Sequence, residues 1–469
     1  MDLTNLIFLY LFLPQSLLIY HLMREVWQKN LALIAISLTF YAFGQPVYVL
    51  VMVALCFVNH KFALRIDPEE KRTVILPVLI NVGILAVFKY LSVVLDLFDV
   101  ETRGFQILPV GLSVFAFSAI SYLLDVYNGS VEPEEDFGKL LLYFMIFPKL
   151  FQGPIVPYGQ IRSQMVHRNT NARSVFEGFQ RFLFGLSKKV LLADACGRIL
   201  NVLNESGGDN TLVGVWFAAI LFMLQVYYDF SGYCDMAIGL GRMFGFRYCE
   251  NFNRPYMALS VTDFCKRWNI TLVAFFRNYV YETLGAGEWG KSRKVINMLI
   301  CFVLAGLWHS TGLNYLIWVV YLWAIVTVEL YLHEYMRFWP DSLCRAWTLW
   351  LLAFGFILFS HENLGELKSA LAAILGYGGF GVTGLGSAIV KSFPLLFTCI
   401  LGCTNFPVYV KRIFAGVCGM DRRSSRVDNP AWLRIAYTAV CLSVVLFLLW
   451  ICTVAMVTNP QLPSIYGRF

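Results

Sequence analysis

Charge is what this chain has least of. Asp, Glu, Lys and Arg make up 14% of its 469 residues, against about 25% in soluble domains. The deficit excludes a soluble globular protein. A recognisable cleavable leader is also missing. The first segment, NLIFLYLFLPQSLLIYHLM, has neither a basic start nor a small-residue cleavage site, and reads as a first membrane span. No internal repeat is visible, which removes the usual support for a transporter built from inverted repeats. A metal centre finds no ligands: Cys399 and Cys403 have no histidine or carboxylate close by in sequence. Most of the twelve cysteines, among them Cys56, Cys234, Cys301, Cys441 and Cys452, lie in apolar runs, where a free thiol behaves as a small hydrophobe. GLGRMFG at 239–245 is no dinucleotide fingerprint, because no strand–helix–strand pattern surrounds it.

What the chain has in abundance is apolar sequence, 58% of the total. A hydrocarbon layer of ~30 Å takes about 20 helical residues to cross. Apolar runs fall near 5–23, 31–43, 47–64, 73–97, 105–124, 139–151, 180–203, 212–230, 262–284, 294–309, 313–333, 345–360, 388–403 and 434–457. Those at 31–43 and 139–151 are too short to cross fully and read as re-entrant or interfacial. The expectation is an all-α polytopic membrane protein of about 11–13 transmembrane and re-entrant helices around a central cavity or tunnel. One membrane domain, 1–469, divides into N-terminal helices (1–104), a motif-bearing core (105–333) and C-terminal helices (334–469). The net charge of +7 sits in short loops, Arg24 and Lys29 after the first run and Lys61, Arg65, Lys71 and Arg72 after the third, while the GQP turn at 44–46 is uncharged. Such loops face the cytoplasm. The pattern puts the N-terminus outside and argues against nucleic acid as a partner.

Polar residues concentrate in 225–310. The stretch YYDFSGYCDMAIGLGRMFGFRYCENFNRPY (227–256) carries Asp229, Asp235, Arg242, Arg247, Glu250 and Arg254. Ionisable groups in membrane segments face protein or water, so they serve a site or pair with one another to stitch helices together. Next, DFCKRWNITLVAFFRNYVYETLGAGEWGKSRK (263–294) begins with Asp263, Lys266, Arg267, Trp268 and Asn269 and ends in a glycine-bearing basic loop. It suits either a phosphate-bearing ligand or an ordinary cytoplasmic loop. Finally, GLWHSTG holds Trp308 and His309 at the end of an apolar run. Of the other five histidines, His21, His60, His167 and His333 lie at run ends or in polar loops, and His361 follows a run. On its own, His309 reads equally as an interhelical hydrogen bonder or as a proton acceptor.

Together these stretches resemble the membrane-bound O-acyltransferase family, in the bacterial branch of alginate O-acetylation. The resemblance runs through FLYLFLP (8–14), FKY (88–90), LPVGLSVFAFSAISYLLDVYNG (108–129) and FPKLFQGPIVPYGQI (147–161). It is most specific from DFSGYCDMAIGLGRMFGFRYCENFNRPY through DFCKRWNITL to GLWH. It implies transfer of an acyl group, by default acetyl, from a cytoplasmic thioester to a hydroxyl outside. The co-substrate would be acyl-CoA or an acyl-carrier-protein thioester, with no cofactor permanently bound and no metal. The acceptor would be an extracytoplasmic SGNH or serine-hydrolase-like acetyltransferase, or a polysaccharide synthesis complex, at a bacterial cytoplasmic membrane whose lipids surround the chain. The family's histidine falls on His309, the implied general base. Its second polar position falls on Asn269, where related bacterial sequences have histidine; the asparagine would orient the donor or hold the oxyanion. Trp308, Trp268, Arg267, Asp263, Arg254, Asp229, Asp235 and Arg242 are then candidates to line the tunnel. Ser310, Ser360 and Ser118 depart from the family's glycine, arginine and glutamine. A transporter of glycan or lipid and a catalytically degenerate scaffold are the competing readings.

Overall fold

The computed structural model describes residues 2–96, 98, 109–207, 210–285, 290–336, 338–361, 363–381, 384–417, 431–459 and 462, all helix, turn and loop. The start of the 105–124 run and part of the glycine-bearing loop (286–289) lie outside those residues. A π-helical segment, Phe8–Phe12, continues into α1 (Leu13–Leu22), followed by α2 (Val26–Ala42), α3 (Pro46–Ala63), α4 (Arg72–Asp96) and α5 (Leu112–Tyr127). Short helices α6 (Phe137–Met145), α7 (Phe147–Leu150) and α8 (Tyr158–Val166) lead to α9 (Ala172–Ser187), a π segment (Lys188–Ala193) and α10 (Asp194–Glu205). Then come α11 (Leu212–Met243), α12 (Val261–Arg267), α13 (Ile270–Phe276), a π segment (Arg277–Tyr281), α14 (Lys291–His309), α15 (Leu313–Met336) and α16 (Asp341–Ser360). The C-terminal part holds α17 (Leu364–Ile374), α18 (Leu385–Cys403), α19 (Phe406–Val417) and α20 (Ala431–Thr458).

Among the described residues, seven helices are long and apolar enough to cross a membrane: α3, most of α4, α11, most of α15, α16, α18 and most of α20. Phe8–Leu22 and Leu112–Tyr127 are shorter apolar helices. Two runs that looked continuous in sequence are broken, and a third, 180–203, stays helical but changes its winding. The 139–151 run turns at Ile146, and Pro148 sits in the first turn of α7, where a missing N–H costs nothing. The 180–203 run passes through the π segment, and the 262–284 run stops between Arg267 and Ile270. Helices α17 and α19 fall outside the apolar runs.

The glycines of DFSGYCDMAIGLG have a packing purpose. A Cβ on Gly185 of α9 would stand 2.5 Å from the carbonyl oxygen of Gly232, and one on Gly239 of α11 would stand 2.6 Å from that of Gly178. The two helices therefore touch backbone to backbone, the use membrane helices make of small residues. The charges beside this contact pair across it. Lys189 lies between Asp194 at 2.7 Å and Asp229 at 3.0 Å. Asp235 takes Arg181 at 2.5 Å and Lys188 at 2.7 Å, and Arg242 meets Glu177. Asp229, Asp235 and Arg242, expected as tunnel residues, instead fasten α11 to α9 and its π extension. A buried charge without a partner is costly, and the lysines and arginines of the neighbouring segment supply partners.

Hydrogen bonds tie α1 and α2 to the segment after α8 and to the close of α11. Tyr20 OH donates to Phe244 O at 2.6 Å, and Arg168 donates to Tyr20 OH at 2.8 Å and to Asn30 Oδ1 at 2.7 Å. The turn between α1 and α2, which holds Arg24, thus lies near the close of α11.

Candidate active site

The site begins with the two short helices α12 and α13. Ser260 caps α12 by accepting from Asp263 N at 3.0 Å. Glu329 reaches over from α15 and accepts from Val261 N at 2.7 Å, Thr262 N at 2.8 Å and Thr262 Oγ1 at 2.6 Å. A carboxylate here satisfies N–H groups that have no helical partner and faces the positive end of the helix. At its other end α12 stops because Trp268 is extended and Asn269 adopts the left-handed conformation, with φ 44°. Asparagine and histidine occupy that region more readily than most residues with a Cβ. Arg254 and Asn269 are the non-glycine residues with positive φ among those described.

Asn269 is held from the side. Its Oδ1 accepts from Asn251 Nδ2 at 3.1 Å, while Asn251 Oδ1 accepts from Thr271 N at 3.0 Å and Thr271 Oγ1 at 2.9 Å. Backbone bonds from Asn253 N to Arg267 O and from Ile270 N to Asn251 O, each 3.0 Å, run alongside. The Asn269 side chain is therefore fixed in place by a chain of polar groups rather than left to rotate.

His309 is the last residue of α14. The free carbonyls at that helix end are taken up by α4: Lys89 Nζ donates to Trp308 O, and Tyr90 OH donates to Leu307 O. Gly306 lets α15 come close, since a Cβ there would stand 2.7 Å from Val319 Cγ2. The imidazole is buried, 6% exposed. Its ring meets those of Trp308 at 4.6 Å, Trp318 at 5.3 Å and Phe359 at 5.8 Å.

His309 and Asn269 line one cavity of about 110 Å³, with Trp268, Trp318, Phe356 and Phe359 among its walls. An imidazole and an amide thus face a common apolar space. The imidazole can take a proton from a bound hydroxyl, and the amide N–H can stabilise an oxygen that gains charge. Trp308 packs behind His309 against Phe117, ring centres 5.5 Å apart. Arg254 and Arg267 line a second cavity, and Arg267 holds Asp263 at 2.8 Å. Sequence reasoning passed over Asn251, Lys89 and Glu329. Asn251 and Lys89 stand within stretches that carried the resemblance, ENFNRPY and FKY. Glu329 is a carboxylate inside the 313–333 apolar run, a signal in itself.

Residues 33–364 match the membrane-bound O-acyltransferase family. The chain belongs to that family. Among its relatives is "Probable alginate O-acetylase AlgI" of Pseudomonas aeruginosa, 32% identical over 403 residues that cover 81% of this chain and 76% of that protein. The protein of the same name from Pseudomonas syringae pv. tomato is 30% identical over 91% of this chain and 85% of its own length. The "Peptidoglycan O-acetyltransferase" of Helicobacter pylori is 28% identical, with 93% of each chain covered. This membrane-bound O-acyltransferase thus falls in the branch to which its motifs pointed, and it is an O-acyltransferase rather than a transporter.

Proposed function

We propose that this O-acyltransferase moves an acetyl group from a cytoplasmic thioester to a hydroxyl presented outside, on a cell-surface polysaccharide or on a serine-hydrolase-like partner that serves one. The observation that carries the reading is the shared cavity of His309 and Asn269, about 110 Å³ in volume. A cavity of about 150 Å³ in another protein holds one benzene molecule, so this space has room for a short acyl group. Two relatives carry the names "Probable alginate O-acetylase AlgI" and "Peptidoglycan O-acetyltransferase", which supports acetyl as the group and a glycan as the eventual acceptor.

In this reading the acceptor hydroxyl gives its proton to His309 as its oxygen attacks the thioester carbonyl carbon. The carbonyl oxygen becomes an oxyanion and receives the Asn269 amide N–H. Collapse of the tetrahedral intermediate breaks the carbon–sulfur bond. The departing thiolate takes the proton back from the imidazolium, leaving an ester, a free thiol and a neutral histidine. The donor is acyl-CoA or an acyl carrier protein, and the enzyme sits in a bacterial cytoplasmic membrane with its N-terminus outside. Release of free thiol from acetyl-CoA by the purified protein, dependent on an added glycan or partner, tests the reading. Thiol release that is equal in wild type and His309→Ala would remove the histidine from the chemistry.

A further inference from the structure

The side chain of Asn251 is buried, 1% exposed, and all of its hydrogen-bonding capacity is used. Its Oδ1 accepts from Thr271 N at 3.0 Å and Thr271 Oγ1 at 2.9 Å. Its Nδ2 donates to Asn269 Oδ1 at 3.1 Å and to Cys234 Sγ at 3.3 Å. The network runs on into backbone: Cys234 Sγ donates to Gln152 O at 3.5 Å, and Ile155 N donates to Thr271 Oγ1 at 3.0 Å. Four stretches far apart in sequence thus meet here, FQGPI, FSGYC, ENF and WNIT. A primary amide can be turned over with little change of shape, which exchanges its donor for its acceptor. The backbone groups forbid that exchange. A backbone N–H only donates, so the atom of Asn251 that meets Thr271 N must be oxygen, and its Nδ2 then meets Asn269. That nitrogen donates in turn, so Asn269 must answer with Oδ1. The N–H2 end of the Asn269 amide is thereby left for the cavity it shares with His309.

We propose that Asn251 is a positioning residue for the acyl transfer: by donating to Asn269 Oδ1 it holds the Asn269 amide with its N–H, not its carbonyl, toward the reacting oxygen. The proposal rests on the oxyanion role given to Asn269 above. An inverted amide would aim a carbonyl oxygen at the developing negative charge and repel it, where a donor is needed. Asn251→Asp is the sharpest perturbation, because it exchanges the NH2 group for an oxygen and changes little else in shape. The carboxylate still accepts from Thr271 N but has nothing to donate. It therefore takes the Asn269 N–H2 and turns the Asn269 carbonyl into the cavity. Asn251→Ala removes the constraint without inverting it, and leaves the amide free to take either sense.

The test uses the purified full chain in detergent micelles and reads thiol release from acetyl-CoA, with the cell's own surface polymer, deacetylated by alkali, as acceptor. Per folded molecule, Asn251→Asp should lower kcat about 100- to 1,000-fold, as loss of an oxyanion donor does. Asn251→Ala should lower it only about two- to tenfold, the bias that one hydrogen bond supplies. The KM for acetyl-CoA should stay near the wild-type value in both, because the interaction lost is one made in the transition state. Should Asn251→Asp fail to fold, Asn251→Ala carries the test. In an Asn269→Gly background no amide is left to orient, so neither Asn251 substitution should lower kcat further. If Asn251 substitutions add their full effect to that of Asn269→Gly, Asn251 does not act through Asn269 and the proposal is overturned. If Asn269→Gly loses turnover while both Asn251 variants keep the wild-type kcat, the positioning role is overturned and the donor role of Asn269 stands. Wild-type kcat in Asn269→Gly overturns the donor role itself, and with it anything for Asn251 to orient.

Discussion

Replacing Asn269 by glycine, alanine and histidine separates what its backbone does from what its amide does. The residue sits at φ 44° and bonds through Oδ1 to Asn251. Alanine loses the amide and must still adopt a left-handed conformation that costs ordinary residues about 1–2 kcal/mol. Glycine loses the same amide but adopts that conformation freely. Both forfeit a hydrogen bond worth about 1 kcal/mol, so Asn269→Ala should be less stable than Asn269→Gly by about 1 kcal/mol. Turnover should separate them differently. If the amide steadies the oxyanion, both variants lose about 100- to 1,000-fold in rate per folded molecule. Histidine enters the left-handed region readily and brings its own N–H, so Asn269→His should stay within about tenfold of wild type. The assay pairs denaturation midpoints in one detergent with thiol release from acetyl-CoA. Near wild-type turnover in Asn269→Gly would refute the reasoning, because the residue would then be a backbone device and nothing more.

Other substitutions probe the supports of the site. Glu329→Gln removes the charge that caps α12 and should cost about 1–3 kcal/mol, read as a lower unfolding midpoint with turnover falling alongside it as Asn269 loses its position. Gly306→Val forces α15 away from α14 at Val319, 2.7 Å from where a Cβ would stand; overpacking of about 1–3 kcal/mol should appear as instability together with lost activity. Asp235→Asn strips Arg181 and Lys188 of their shared partner and should cost about 1–3 kcal/mol, discounted because Arg181 is partly exposed. Turnover per folded molecule should be unchanged, as befits a residue that fastens α9 to α11.

The apolar runs were legible because twenty uncharged residues have few homes other than a membrane, and His309 stood out because it ends such a run. Breaks inside the runs were not. The stop at Trp268–Asn269 depends on Glu329 capping the far end of α12 and on Asn251 bracing it, and both partners lie on other segments. The charges of 227–256 announced buried polarity without saying what they met. Asp229 and Asp235 pair with Lys189 and Lys188, which sit inside the 180–203 apolar run and become partners only through the α9–α11 register. The cavity that Arg254 and Arg267 line was half visible: those two belong to the motif region, whereas Arg345 and Arg412, which also line it, come from helices that carried no motif.

The central claim is that His309 accepts the proton of the attacking hydroxyl. The most direct measurement compares acetylation of the surface polymer in cells carrying wild type or His309→Ala, at matched protein levels in the membrane fraction. Acetylation falling to background with the protein still present in the membrane is the predicted result. Undiminished acetylation in the variant would contradict the account.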